Sequence, residues 1–353
     1  MNAKKILALL IALAMTLCVF AACSGKTPTD GTTAAEGDTT AEAVTAKATS
    51  KVYKIGIMQF GEFDALQNAK QGFIDGLAEA GYIDGENIKL NTQSAAAETS
   101  NCPSIADSLI NDNSDLILAI ATPCASAVKE KTSEIPVLFT AVTDPVASGL
   151  IDSADAPGAN LSGTSDMNPV KEQVDLLVKI LPEAKKVAVM YCSSESNSAA
   201  QYELAKTALE ALNIECVQKT VSAVDEAKSA VESLEGEVDA IYIPTDNTLA
   251  DAMTLVSEAA KNVGLPIICG ESGMVKDGGL ATYGIDYYVL GKQTAEMAVK
   301  VLESEDMLAT VASMPVVYQT EGNEIAVNTD TAAALNIQIP ADVMEGAKTF
   351  PEA

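Results

Sequence analysis

"LILAIATPCASAV", residues 116–128, runs apolar to Ala121 and then breaks at Thr122-Pro123 before a row of small residues. "IPVLFTAVTDPVASGL", residues 135–150, breaks in the same way at Thr143-Asp144-Pro145. A short apolar run closed by a turn signal reads as a buried strand. Thr followed by Pro then reads as the start of a helix, with Thr122 as the cap and Pro123 as the favoured first helical residue.

The surrounding sequence repeats this alternation. "VYKIGIM" (52–58) is a β-branched run, followed by "DALQNAKQGFIDGLAEAGY" with apolar residues three and four apart. "NIKLNTQ" (87–93), "LILAI" (116–120) and "IPVLFT" (135–140) continue the strands. The cycle restarts at "KKVAVMY" (185–191), with a helix over 198–212, "IECVQKTV" (214–221), a helix over 225–234, "DAIYI" (239–243), a helix over 248–263 and "LPIIC" (265–269). Strands alternating with helices of this length predict parallel sheets built from right-handed crossovers. Two such runs in series predict an α/β protein with two similar doubly wound parallel-sheet lobes. The expected division puts residues 52–165 and 281–310 in lobe 1, and 166–280 and 311–350 in lobe 2.

In such sheets ligands sit outside the carboxyl ends of the strands. The N–H groups of Cys124 and Ala125 would face that space, and a helix start favours an anion. The same arrangement recurs at Thr143-Asp144-Pro145, Ser193-Ser194-Glu195 and Pro244-Thr245-Asp246-Asn247. One such site is an ordinary helix cap; four at equivalent strand ends predict a shared cleft.

Composition excludes several functions. The 353 residues carry a formal net charge of −27, which argues against a nucleic-acid partner. There is no His, so the commonest metal ligand and general base are both missing. Seven Cys without a CxxC pair signal neither a zinc site nor a disulfide framework. No metal and no cofactor are expected. An enzyme would have to use Ser-Lys or paired carboxylates, and "SSES" sits in no G-x-S-x-G elbow.

The N-terminus predicts a destination. Lys4 and Lys5, an apolar run from Ile6 to Phe20, and Ala21-Ala22-Cys23 have the three-part build of a secretory signal over residues 1–23. The small residues around Cys23 resemble a bacterial lipoprotein cleavage box, and a lipid on Cys23 would anchor the chain to the outer face of a membrane. Residues 24–51 have almost no large apolar side chain and are expected to be a flexible tether, with folding from Val52.

"KIGIMQFGEFDALQNAKQGFIDGLAEAGY", "AIATPCASAV", "PVLFTAVTDPVASGL", "SGTSDMNPVKEQVDLLVKILPEAKKVAVMYCSSESNS", "DAIYIPTDNT" and "YGIDYYVLGKQTAEMAVKVLE" together resemble the ABC transporter substrate-binding lipoproteins of the tryptophan/tyrosine type. The resemblance covers nearly all of residues 53–340. It implies a type I periplasmic-binding-protein fold, with two lobes joined by a three-strand hinge and a small solute, such as an aromatic amino acid, held between them. It also implies a membrane permease and an ATPase as partners; a monomer is expected. A sensing lipoprotein of the same fold, or a receptor for another solute, is the alternative.

The candidate contacts follow mostly from this resemblance and partly from charge. Thr122, the N–H groups after it, Thr140 and Ala141 would hold the ligand carboxylate. Asp246, then Glu271, would pair with its ammonium, since an unpaired buried charge is costly. Phe60, Phe63 and Tyr283 are the candidate walls, and Ser194, Asn197 and Asn247 the polar contacts from the second lobe. Gly61, Ala121, Pro123, Cys124, Val142, Ser193 and Asp286 border these positions. Glu62-Phe63-Asp64 stands where the family would have Glu followed by His-Pro.

Overall fold

The computed structural model describes residues 45–319 and 323–351. The expected signal peptide, with Cys23, and the tether up to residue 44 lie outside the described residues.

The first half runs β1 (Tyr53–Gln59), α1 (Asp64–Glu79), β2 (Ile88–Ser94), α2 (Cys102–Asn111), β3 (Leu116–Ile120), α3 (Thr122–Lys131), β4 (Val137–Val142) and β5 (Leu161–Ser165). The second half repeats the scheme with α4 (Val170–Ile180), β6 (Lys186–Cys192), α5 (Ser196–Ala211), β7 (Glu215–Val221), α6 (Val224–Glu232), β8 (Ala240–Ile243), α7 (Asn247–Asp251), α8 (Met253–Asn262), β9 (Ile267–Cys269), α9 (Ser272–Lys276) and β10 (Ala281–Gly284). Then come α10 (Tyr287–Leu302), α11 (Met307–Ser313), β11 (Val317–Tyr318), β12 (Glu324–Asn328), α12 (Thr329–Ala334), α13 (Ala341–Met344) and β13 (Lys348–Phe350).

Two sheets result, in the order β11-β5-β4-β3-β1-β2 and β13-β12-β10-β9-β8-β6-β7. Among the described residues every strand pairing is parallel except β10 with β12. In each lobe the first strand lies between the second and third, so the order reverses beside β1/β3 and β6/β8, where a doubly wound sheet opens a crevice. β3 and β4 are buried along their whole length, which explains their unbroken apolar sequences. The chain passes between the lobes three times: after β5, after β10, and between β11 and β12. Two doubly wound lobes joined in this way form the type I periplasmic-binding-protein fold.

The structure corrects the expected boundaries in three places. β10 stays in the second sheet, with Ala281 opposite Ile268 and residues 281–284 paired with β12. The chain leaves only after Gly284, where Asp286 caps α10 by accepting from Tyr288 N at 2.8 Å. Conversely, residues 311–318 remain with lobe 1: β11 pairs with β5, and Ser162 Oγ donates to Met314 O at 2.6 Å. Finally, the fold begins before Val52. Lys47 N donates to Gly81 O at 2.8 Å, and Lys51 Nζ pairs with Asp115 Oδ1 at 2.7 Å. These polar contacts bury no large apolar side chain, so composition could not reveal them.

One close approach sets the cleft wall. The backbones of α1 and α10 touch at glycines: a Cβ on Gly72 would lie 2.0 Å from Tyr288 O, and one on Gly291 2.0 Å from Ala69 O. A methyl at either position would force the helices apart, at about 1–3 kcal/mol. This packing fixes α10 to lobe 1 and brings its first residue, Tyr287, to the cleft.

Candidate functional site

A cavity with about 310 Å³ of empty space lies between the lobes. Lobe 1 contributes Phe63 and the start of α1 (Ala65, Leu66), and the end of β4 (Ala141, Thr143). The β4–β5 register shifts between Phe139 and Val142, and Ala141 takes φ 53 there, so the strand end turns toward the cavity. The crossing segments add Asp166 and Tyr287, and lobe 2 adds Asn197, Thr245, Asp246, Asn247, Ala250 and Glu271.

Three of these lining residues are buried carboxylic acids, and none is a cation. Asp166 Oδ2 accepts from Tyr287 Oη at 2.8 Å, while its Oδ1 is buried without a hydrogen-bond partner. Burial raises the Asp166 carboxyl above the ordinary range, against the opposing effect of the Tyr287 and Thr143 hydroxyls. Burial, reinforced by the charge of Glu195, pushes Asp246 up to about 8. Burial pushes Glu271 up to about 7, against the N–H groups it accepts. Asn197 Oδ1 is a second buried acceptor without a partner. The unoccupied acceptors and the acid excess both call for a cationic donor such as an ammonium.

The other wall suits an anionic group. Phe63 occupies the cap position of α1 with no side-chain hydrogen bond to the helix, so the first-turn N–H groups at Ala65 and Leu66 have no side-chain cap. A helix start of this kind suits a carboxylate. The half-buried Phe63 ring packs against the cores of both lobes, and Tyr287 supplies a second aromatic face.

Of the residues singled out from the sequence, Phe63, Ala141, Asn197, Asp246, Asn247 and Glu271 line this cavity. Thr122, Pro123 and Ser194 instead line a lateral groove with about 620 Å³ of empty space, which shares Asn197 with the cavity. Thr122 is not the cap of α3: Ala121, at φ 82, holds that position and Thr122 is the first helical residue. Thr140 is buried in a chain of hydroxyls, accepting from Thr164 Oγ1 at 2.9 Å. Phe60, Cys124 and Val142 belong to the lobe 1 core. Gly61 is buried just ahead of Phe63, and a Cβ there would lie 2.9 Å from the Phe63 ring. Ser193 is exposed and donates to Val221 O at 3.2 Å. Tyr283 packs against the lobe 2 core and Asp286 caps α10, so neither lines the cavity.

Asp246 and Glu271 are also caps. Asp246 accepts from Cys192 N at 2.6 Å and from Leu249 N at 2.8 Å, which uses both oxygens. Glu271 accepts from Gly273 N and from Met274 N at 2.8 Å. Glu195 anchors the start of α7 behind the wall, accepting from Asn247 Nδ2 at 2.6 Å and Thr248 N at 2.8 Å.

Asp166, Tyr287 and the α1 start escaped the sequence reading of the site, whereas Thr143, read as one of the four strand ends facing the cleft, does line the cavity. Asp166 follows β5, whose sequence LSGTS carries little apolar signal. Gly163 is required there because a Cβ would lie 2.0 Å from Phe139 O.

Comparison with known proteins places this geometry. A model of the family described as ABC transporter substrate binding protein matches residues 54–350. A curated protein from Clostridioides difficile named tyrosine-binding protein is 40% identical over 338 residues, which is 96% of this chain and 94% of that one. A Streptococcus pneumonia structure in complex with L-Trp is 33% identical, with TM-score 0.80 over 85% of this chain and 99% of that one. A ligand-free, open substrate binding protein with adhesive properties from Clostridium difficile is 40% identical, with TM-score 0.66 over 86% of this chain and 100% of that one. The chain therefore superposes better on the liganded relative than on the open one, despite the lower identity. The lobes here are drawn together.

Proposed function

We infer the function from the family, because this chain belongs to the ABC transporter substrate-binding proteins. It is an extracytoplasmic solute receptor rather than an enzyme. We propose that its solute is an aromatic α-amino acid such as tyrosine or tryptophan, closed between the lobes and delivered to a membrane permease driven by an ATPase. A lipid on Cys23 holds the receptor at the outer face of the membrane.

One observation carries the choice of ligand: Asp166, whose Oδ1 is buried without a hydrogen-bond partner, lines a cavity whose charged lining is entirely acidic. An α-ammonium satisfies that oxygen and Asn197 Oδ1 together. The ligand carboxylate then meets the N–H groups at the start of α1, and the ring lies against Phe63, Leu66 and Tyr287. The tyrosine-binding relative and the L-Trp complex support an aromatic amino acid.

The chain has no Trp, so emission excited at the red edge of indole absorption reports added tryptophan alone. A saturable change on adding protein, and displacement by tyrosine, is the expected result. Failure of tryptophan, tyrosine and phenylalanine alike to bind would exclude the aromatic class. For the anchor, Cys23→Ala is expected to move the protein from the membrane to the soluble fraction.

A further inference from the structure

The acid assigned to the ligand ammonium sits on a crossing between the lobes. Asp166 follows β5 on the first crossing, and Tyr287 opens α10 just past the second, 121 residues later. Both are buried, at 4% and 5% exposed. Tyr287 Oη donates to Asp166 Oδ2 at 2.8 Å, while Asp166 Oδ1 has no hydrogen-bond partner. Other bonds hold the backbone of the same two crossings. Asn168 Nδ2 donates to Asp166 O at 3.0 Å, and Asn168 Oδ1 accepts from Ile285 N at 3.3 Å. The chain around Asp166 is therefore placed without Tyr287, which leaves the phenol hydroxyl one task, at the carboxyl group itself.

We propose that Tyr287 is a positioning residue for solute recognition: its hydroxyl holds Asp166 Oδ2 and so orients the carboxylate with Oδ1 free for the α-ammonium. This role rests on the ammonium reading of the cavity given above. The last torsion of an aspartate is broad and two-fold, so a bond to one oxygen is what selects an orientation. The donor itself is firmly held. α10 packs on α1 at Gly72 and Gly291, so the Tyr287 ring hangs from a fixed helix end. Burial and the charge of Asp166 raise the phenol well above its ordinary value, so it stays protonated and donating near neutral pH.

The same bond keeps the acid charged. Burial raises the Asp166 carboxyl, and the hydroxyls of Tyr287 and Thr143 oppose that rise. Without the Tyr287 hydroxyl Asp166 takes up a proton at higher pH, and a neutral acid offers an ammonium no charge. A cavity wall needs only a ring. The hydroxyl is thus separable from the aromatic face that Tyr287 also supplies.

Tyr287→Phe keeps the ring in the lobe 1 core, so the fold is retained, and removes the hydroxyl alone. Tryptophan is expected to bind about tenfold more weakly, and indole-3-propionate within about twofold of wild type. In an Asp166→Asn background, where no charge is left to orient, the same substitution is expected to change tryptophan affinity by less than about twofold. The rise of tryptophan affinity with pH should move to higher pH in Tyr287→Phe. Asp246 and Glu271, the other acids lining the cavity, keep their own partners in that variant, and no cation lines it. Equal losses for tryptophan and indole-3-propionate, an equal loss with and without the Asp166 charge, or an unmoved pH profile would mean that Tyr287 acts by packing alone, and would overturn the proposal. Failure of the ammonium reading has a different signature: Asp166→Asn by itself would then weaken both ligands alike, and the positioning role would fall with it.

Discussion

Lys276 Nζ, at the end of α9 in lobe 2, lies 2.6 Å from Asp64 Oδ2, at the start of α1 in lobe 1. The pair bridges the lobes beside the cavity, one residue from both Phe63 and Ala65. A second, weaker bridge joins Ser196 Oγ to Ser148 Oγ at 3.4 Å. Such contacts exist only when the lobes are together, so they shift the open–closed equilibrium toward closure. The lysine and aspartate side chains are 52% and 43% exposed, which limits their bond to about 0.2–1 kcal/mol. Asp64→Asn is therefore expected to weaken ligand binding by up to about fivefold. Calorimetry should show the difference shrinking at high salt. An unchanged affinity at low salt would mean that the ion pair does not favour closure.

Asp166 and Asp246 separate ligand binding from capping. Asp166→Asn keeps an acceptor for Tyr287 but removes the charge facing the ligand ammonium. Tryptophan should bind about 30–150-fold more weakly, for a loss of about 2–3 kcal/mol. Indole-3-propionate, which lacks the ammonium, should be nearly unaffected. Asp246→Asn instead weakens the bonds to Cys192 N and Leu249 N. It should cost about 1 kcal/mol of stability in denaturant unfolding. Equal effects on both ligands in Asp166→Asn would remove the ammonium from that site.

The contrast between these two aspartates reflects what a sequence carries. β3 was legible because LILAI is buried on every side and reads as one apolar run. β5 was not, because Ser162 and Thr164 are buried through their hydrogen bonds and Gly163 through a close backbone approach. Asp166 follows that hidden strand and was hidden with it. Asp246 stood out at a clear strand end, yet one of its partners, Cys192 N, lies 54 residues away in sequence. Tyr283 and Tyr287 show the same limit. Both sit near the second crossing, and the close packing of α1 on α10 at Gly72 and Gly291 holds Tyr287, not Tyr283, at the cavity.

The carboxylate end of the ligand has its own test. Tryptophanamide lacks the anion that the α1 start would receive and should bind at least about 30-fold more weakly, a loss of about 2 kcal/mol. Thr122→Ala should leave tryptophan affinity within about twofold, because Thr122 lines the groove rather than the cavity. A large loss in Thr122→Ala, with its fold intact by circular dichroism, would return the carboxylate to the α3 start.

Titration links the acidic cavity to both stability and binding. Asp246, pushed up to about 8, and Glu271, pushed up to about 7, hold protons in the folded, ligand-free protein that the unfolded chain releases at lower pH. Between the unfolded carboxylate range near pH 4 and about pH 8, the folded state binds more protons, so stability falls as pH rises. The ligand-free thermal midpoint should accordingly drop from about pH 5 to about pH 8, and Glu271→Gln should flatten the drop. A ligand ammonium acts in the opposite sense, because a cation in the cavity favours the ionised acids. Binding near pH 7 should then release protons, and affinity for tryptophan should rise from about pH 5 to about pH 8. Calorimetry in phosphate and in Tris measures that release directly, since the apparent binding enthalpies differ by the buffer's ionisation heat for each proton. Proton uptake on binding, or equal enthalpies in the two buffers, would mean that the ammonium does not sit among these carboxyl groups.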